Sequence, residues 1–208
     1  MQAAVLSLAF CALQLWPAAR GGPQHQRFDA QHHKWPARLF KVESFEWENC
    51  GPSSDPAVIK SLSVDPSPID IPGKVTVSAS VSTTVAVEAP VQADVTLEKR
   101  LGQMWIKIPC VDKLGSCFYD DVCAILESLI PPGVPCPEPL LSYGIPCHCP
   151  FKAGSYNLPS SEFFIPNIDL PSFLTNGDYK LKAVLKSGDQ ELACIQVSCS
   201  LQAQSWRF

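Results

Sequence analysis

From Ser44 onward apolar and polar residues alternate with a period of two, the pattern of strands with one dry and one wet face. The alternation opens at Ser44-Phe45-Glu46-Trp47 and returns in Val58–Val64, which Asp65-Pro66-Ser67-Pro68 stops. Ile69-Asp70-Ile71 ends at the turn pair Pro72-Gly73. Val75, Val77, Ala79 and Val81 then alternate with Thr76, Ser78, Ser80 and Ser82, and Val91, Ala93, Val95 and Leu97 with Gln92, Asp94, Thr96 and Glu98. Near the C-terminus Tyr179, Leu181, Ala183 and Leu185 face one way while Lys180, Lys182 and Lys186 face the other. Leu192–Val197 closes the series after a Ser187-Gly188-Asp189 turn. Such strands with Pro/Gly punctuation predict an all-β, antiparallel sandwich, barrel or cup.

One segment has a different period. Phe118, Val122, Ile125 and Leu129 recur at helical spacing within Cys117–Ile130, with Asp120 and Asp121 in the early turns and Pro131-Pro132-Gly133 as the stop. A short amphipathic helix is expected there. The stretch Pro131–Pro150 that follows is dense in Pro and Cys and lacks periodicity, so disulfides must hold it in place.

The first residues change the picture from fold to compartment. Residues 3–16 are uncharged and mostly apolar, and small residues follow, which reads as a secretory signal peptide over 1–20. Residues 21–43, rich in Gln, His, Arg, Pro and Gly, are expected to be a flexible mature N-terminus, 44–201 the folded domain and 202–208 a C-terminal tail. No later segment is apolar for long enough to predict a transmembrane helix. Ten cysteines become nine if Cys11 leaves with the leader. In an exported chain they are expected to be oxidised, and an odd number leaves at least one without an intramolecular partner.

Charge excludes one class of partner and suggests another. The formal net charge is −4 at pH 7, and no Lys/Arg cluster stands ready to neutralise phosphates, so nucleic-acid binding is not expected. The sequence pI is about 5.5. At about pH 4.5 to 5, carboxylates begin to protonate and His25, His32, His33 and His148 become charged, which favours an anionic membrane surface.

Motifs for catalysis are missing: there is no Gly-x-Ser-x-Gly, His-Glu-x-x-His, phosphate loop or dinucleotide fingerprint. A secreted hydrolase would have to use His148, the one histidine in the folded region. Cys147-His148-Cys149 could be read as a metal site or an activated thiolate. Two disulfide cysteines flanking a surface histidine is preferred, because exported cysteines oxidise and adjacent positions do not converge on one ion. No catalytic residue, metal or cofactor is therefore expected. Two loops stand out instead. Leu101-Gly102-Gln103-Met104-Trp105 lies between strands, and Ile168–Gly177 carries Phe173 and Leu174 toward a Gly-containing turn. Apolar, aromatic turns can be lids on a core; two in one chain favour a membrane-touching or ligand-gating rim.

Long strings in the chain match a known family. Asp55–Leu62, Leu97-Glu98-Lys99, Trp105–Cys110, Pro135–Leu140, Tyr143-Gly144 and Pro146–Lys152, with the spacing of eight cysteines, resemble the ganglioside GM2 activator family of lysosomal sphingolipid activators. The likeness runs from about Phe45 to Leu201. It implies a β-cup: an antiparallel sheet around an apolar lipid cavity, with one short helix and a disulfide-rich loop region. It also implies a non-enzymatic cofactor that extracts GM2 ganglioside, presents it to lysosomal β-hexosaminidase A for removal of N-acetylgalactosamine, and transfers glycolipids between membranes. Such a helper answers a physical need, since at about 0.8 kcal/mol per methylene a long acyl chain costs on the order of 10 kcal/mol to expose to water.

Carried over by position, the family's disulfides are Cys50–Cys194, Cys110–Cys117, Cys123–Cys149 and Cys136–Cys147, which leaves Cys199 as the candidate free thiol. Leu101, Met104, Trp105, Phe173 and Leu174 are the residues expected to touch lipid and membrane. The chain departs from the family where Lys74-Val75-Thr76 replaces an Asn-Val-Thr glycosylation site, and where Phe173 stands in place of an expected Trp. Besides the hydrolase, a general secreted lipid-transfer or innate-immune lipid-binding protein is the alternative to a ganglioside cofactor.

Overall fold

The computed structural model describes residues 44–167 and 174–203. The expected leader (1–20) and mature N-terminus (21–43), Phe173, and residues 204–208 of the expected tail lie outside the described residues. In chain order the elements are β1 (Glu46–Asn49), β2 (Ala57–Asp65), β3 (Ile69–Ile71), β4 (Gly73–Thr83), β5 (Gln92–Leu101), β6 (Met104–Lys107), β7 (Phe118–Tyr119), α1 (Val122–Leu129), β8 (Gly154–Ile165), β9 (Gly177–Ser187) and β10 (Gln190–Ala203).

Among the described residues these strands form two sheets. The large one runs β1-β10-β9-β5-β6, with β3 added beside β10 and β7 beside β5; the small one is β2-β4-β8. Pairing is antiparallel except where Ile69–Ile71 of β3 lies parallel to Leu201–Ala203 of β10. Because β3 sits in the connection between β2 and β4, this short pairing ties the small sheet to the last strand of the large one. Asn49, at the end of β1, makes a second tie: its side chain donates to the Ile59 carbonyl at 2.8 Å and accepts from the Ile59 N–H at 3.1 Å.

Strand β8 has no counterpart in the alternation pattern, and Pro159 explains why. Proline cannot donate to a ladder and is tolerated on edge strands and at bulges. β8 is an edge strand, and its register against β4 slips between Val77 and Ala79, at the level of Leu158-Pro159-Ser160.

The helix also differs from its sequence expectation over Cys117–Ile130. It begins at Val122, because Asp121 caps it by accepting from the Cys123 N–H at 3.0 Å, and the same carboxylate oxygen accepts from Val91 N–H at 3.0 Å. Phe118 and Tyr119 are extended and pair with Ala93 and Asp94 of β5. Nor does the apolar stripe decide which face turns inward. Phe118 is 58% and Leu129 72% exposed, whereas Cys123 is buried, held by its bridge to Cys149. On so short a helix the covalent tie overrides amphipathic spacing.

Four disulfides join described residues: Cys50–Cys194, Cys110–Cys117, Cys123–Cys149 and Cys136–Cys147. These pairs coincide with those the resemblance implies. Cys199 remains a free, half-buried thiol.

Candidate lipid-binding cup and its rim

Directly opposed residues of an antiparallel ladder share a face, so the register of the large sheet assigns its two sides. One side carries the rows Val197–Leu181–Leu97 and Ile195–Ala183–Val95, with Trp47 of β1 beside Val197. The other carries Ser198–Lys180–Glu98 and Gln196–Lys182–Thr96. The small sheet has a similar apolar side, in the rows Ile59–Val81–Tyr156 and Leu62–Ala79–Leu158.

These apolar sides share walls in two places. An open cleft of about 590 Å³ is lined by Phe45 and Trp47 on one hand and Leu62 and Val64 on the other. At the helix end, Val91, Cys123 and Leu192 form a buried cluster on which Val85 and Val87, just beyond β4, pack together with Leu185 of β9. Ala57, Val81, Val87, Ile145, Phe151 and Tyr156 line a smaller apolar cavity of about 240 Å³ there.

Between those contacts the rows are not closed. Leu97, Val95, Leu181, Ala183, Val197 and Ile195 are all half-buried, as are Ile59, Leu62, Ala79 and Val81. In a filled sandwich the middle of each inner face is the core and is interdigitated. Here the buried clusters sit toward the ends, one at the helix end and one formed by Ile108, Leu174 and Tyr179, on which Leu97 packs, while Leu158 closes one end of the small sheet's row. The apolar floor is therefore available to an apolar guest.

The β5–β6 hairpin forms a rim at the far end of the large sheet from the helix. Leu101 opposes Met104 across Gly102-Gln103, and Gly102 has φ +64°, a left-handed conformation that suits glycine in so tight a turn. Leu101 is 51% and Met104 66% exposed. Ile106, also exposed, shares their face by register. The sequence expectation passed over Ile106, although its alternation with Trp105 and Lys107 carried the signal.

Trp105 is placed differently. It opposes Arg100 on the charged side of the sheet, half-buried, with the Lys180 ammonium 4.4 Å from its ring centroid. Leu174 needs a correction: it is 6% exposed and packs with Ile108 and Tyr179 instead of standing on the rim. The turn that follows it is pinned, because the Tyr179 hydroxyl donates to the Asn176 carbonyl at 3.2 Å. Leu174→Ala is accordingly expected to cost about 2–5 kcal/mol of stability. Leu101→Ala and Met104→Ala should stay within about 0.5 kcal/mol of the native protein and weaken vesicle binding. Denaturant titration beside vesicle sedimentation would expose a reversed pattern.

Three polar groups lie on the apolar side next to the rim: Lys99, Tyr179 and Cys199, which are opposed in register. The Lys99 ammonium is 5.4 Å from the Tyr179 ring centroid, and burial lowers its pKa. Burial, then the charges of Cys199 and Asp178, push the Tyr179 phenol up to about 12. Burial, then Asp178, raises the Cys199 thiol. A reactive cysteine needs the opposite shift, so Cys199 stays a neutral thiol at neutral and acidic pH.

The Cys136, Cys147 and His148 donor atoms lie within 4.8 Å of one another, yet the two sulfurs are joined to each other and cannot bind a metal as thiolates. His148 Nε2 donates to the Ile130 carbonyl at 2.6 Å, and its Nδ1 lies 3.4 Å from the Cys147 sulfur. The imidazole thus fastens the end of α1 to the disulfide-rich loop.

Comparison with known proteins agrees with this geometry. A family profile described as the ML domain matches residues 44–201. The ganglioside GM2 activator of Macaca fascicularis is 51% identical over 166 residues, covering 80% of this chain and 87% of that protein. The Mus musculus ganglioside GM2 activator is 48% identical over 169 residues, covering 81% and 88%. A Niemann-Pick type C2 protein from Japanese carpenter ant, of known crystal structure, covers 76% of this chain and 99% of its own at 14% identity and a TM-score of 0.36, values at which the likeness adds nothing to the assignment.

Proposed function

This chain belongs to the ML-domain family, in the branch of the ganglioside GM2 activators, and on that premise we propose that it is a glycolipid cofactor that extracts GM2 ganglioside and presents it to β-hexosaminidase A. It is a lipid-binding protein and a non-catalytic activator. Its cup takes the ceramide, and the sugar stays outside where a soluble enzyme can reach it. The same capacity lets it carry glycolipids between membranes. It works in the lysosome and enters the secretory route through the leader read at 1–20.

One observation carries this reading: the half-buried apolar rows of the two sheets, Val95, Leu181 and Ala183 foremost. An apolar floor left open to water is costly unless something apolar covers it, and a ceramide supplies that cover at about 0.8 kcal/mol per buried methylene. The exposed Leu101, Met104 and Ile106 fit the second requirement, a surface that can rest on a bilayer while the lipid moves. The test is hydrolysis of GM2 in vesicles at acidic pH by β-hexosaminidase A, with and without the protein. The expected result is stimulation with vesicular GM2, none with a water-soluble substrate, and no turnover by the protein alone. Unchanged GM2 hydrolysis would refute the cofactor role.

A further inference from the structure

The smaller cavity, about 240 Å³, lies on the apolar side of the small sheet at its helix end. Two of its walls, Val81 and Tyr156, are members of the row Ile59–Val81–Tyr156, so it belongs to the same face as the floor. Ala57 and Thr83, opposed in register, continue that face beyond Ile59 and Val81. A further wall, Val87, packs on the buried cluster of Val91, Cys123 and Leu192, which also takes Leu185 from the large sheet. The cavity therefore sits at the inner end of the floor, against the cluster that closes the cup there.

Its chemistry suits hydrocarbon. Ala57, Val81, Val87, Ile145, Phe151 and the Tyr156 ring line it, and none of them is exposed. The two hydroxyls on the wall are already engaged: Thr83 Oγ1 donates to the Val85 carbonyl at 2.7 Å, and the Tyr156 hydroxyl to the Lys152 carbonyl at 2.6 Å. Apolar cavities of this order stay dry and take small hydrocarbons, because a water held there needs about two to four polar partners.

Distance along the floor decides which chains arrive. β9 carries the floor from Tyr179, beside the rim, to Leu185 on the closing cluster, about 20 Å at roughly 3.4 Å per residue. A membrane lipid chain spans half of a bilayer core about 30 Å thick, and reaches further when fully extended. A chain of membrane length that enters at the rim thus reaches the cavity, and a chain half as long ends on the open floor.

We propose that this cavity receives the methyl end of one chain of the bound glycolipid and so sets the chain length the protein prefers, with Ala57, the smallest residue on its wall, keeping it open. The assignment deepens the lipid-binding reading above and rests on it.

Two synthetic forms of GM2 in phosphatidylcholine vesicles provide the test, one with about eight carbons in each ceramide chain and one with about eighteen. Uptake is measured for the native protein, Ala57→Leu and Ala57→Phe, with thermal unfolding recorded for each. Each variant is compared with the native protein on the same lipid, so the easier escape of short chains from the bilayer cancels. Each methylene kept out of an apolar site costs about 4-fold in affinity. Ala57→Leu is expected to take up the long-chain lipid about 4-fold less well and Ala57→Phe about 15-fold less well, the short-chain lipid staying within about 2-fold for both. The smaller substitution decides the matter where Ala57→Phe fails to fold. Equal losses on both lipids, or undiminished uptake of the long-chain lipid, overturn the chain-length role and leave lipid binding standing. No uptake of either lipid by the native protein overturns both.

Discussion

Ala183→Trp is expected to lower glycolipid uptake by about 30-fold while leaving the thermal midpoint near that of the native protein. Ala183 lies in the middle of the large sheet's apolar side, between Val95 and Ile195, and is half-buried. An indole projecting from this position covers floor that an acyl chain would otherwise cover. Displacing two or three methylenes forfeits about 2 kcal/mol of transfer energy, which is roughly 30-fold in affinity. In a packed core the same substitution would force side chains off their rotamers and cost about 1–3 kcal/mol of stability. Lipid extraction and thermal unfolding of one variant therefore separate an open floor from a closed one. Full uptake together with lost stability would show that lipid sits elsewhere.

The double variant Cys50→Ser, Cys194→Ser is expected to lose the most stability of any single bridge removal. The two residues are 144 apart in sequence, against 7 for Cys110 and Cys117. Loop-closure entropy makes the long bridge worth about 5 kcal/mol and the short one about half that. A domain of this size is stable by only about 5–15 kcal/mol, so the long bridge is a third or more of the total. It also joins β1 to β10, where the Cys50 N–H donates to the Cys194 carbonyl at 2.9 Å. Denaturant unfolding under non-reducing conditions measures both losses. Equal losses from the two bridges would contradict the entropic account.

How much of this was legible in the sequence varies by element. Strands with clean alternation, such as Val75–Ser82 and Tyr179–Leu185, read directly because each has one wet and one dry face. β8 hid behind Pro159, since a bulge on an edge strand breaks the period without breaking the strand. The helix start depended on one carboxylate, Asp121, and its inward face on a disulfide, neither of which periodicity weighs. Cysteine counting predicted oxidised cysteines and an odd thiol, whereas the pairing came from resemblance, because spacing alone permits many connectivities.

The rim was legible in part. Leu101 and Met104 stand on an exposed hairpin, but their neighbour Trp105 alternates onto the charged face beneath Lys180, and Leu174 folds back onto Ile108 and Tyr179. A run of apolar residues in a turn does not say which of them point outward; register and the strand pleat do. The Arg100–Asp178–Ser200 cluster was not legible at all, since its members lie on three different strands and meet only through the pairing of β5, β9 and β10.

The central claim is that the open apolar floor holds one glycolipid. Native mass spectrometry of the protein after incubation with GM2-containing vesicles at acidic pH tests it most directly. The expected spectrum shows one ganglioside bound per protein in the native form and a largely lipid-free Ala183→Trp variant. A native protein that stays lipid-free, or a variant that binds ganglioside as well as the native form does, would contradict it.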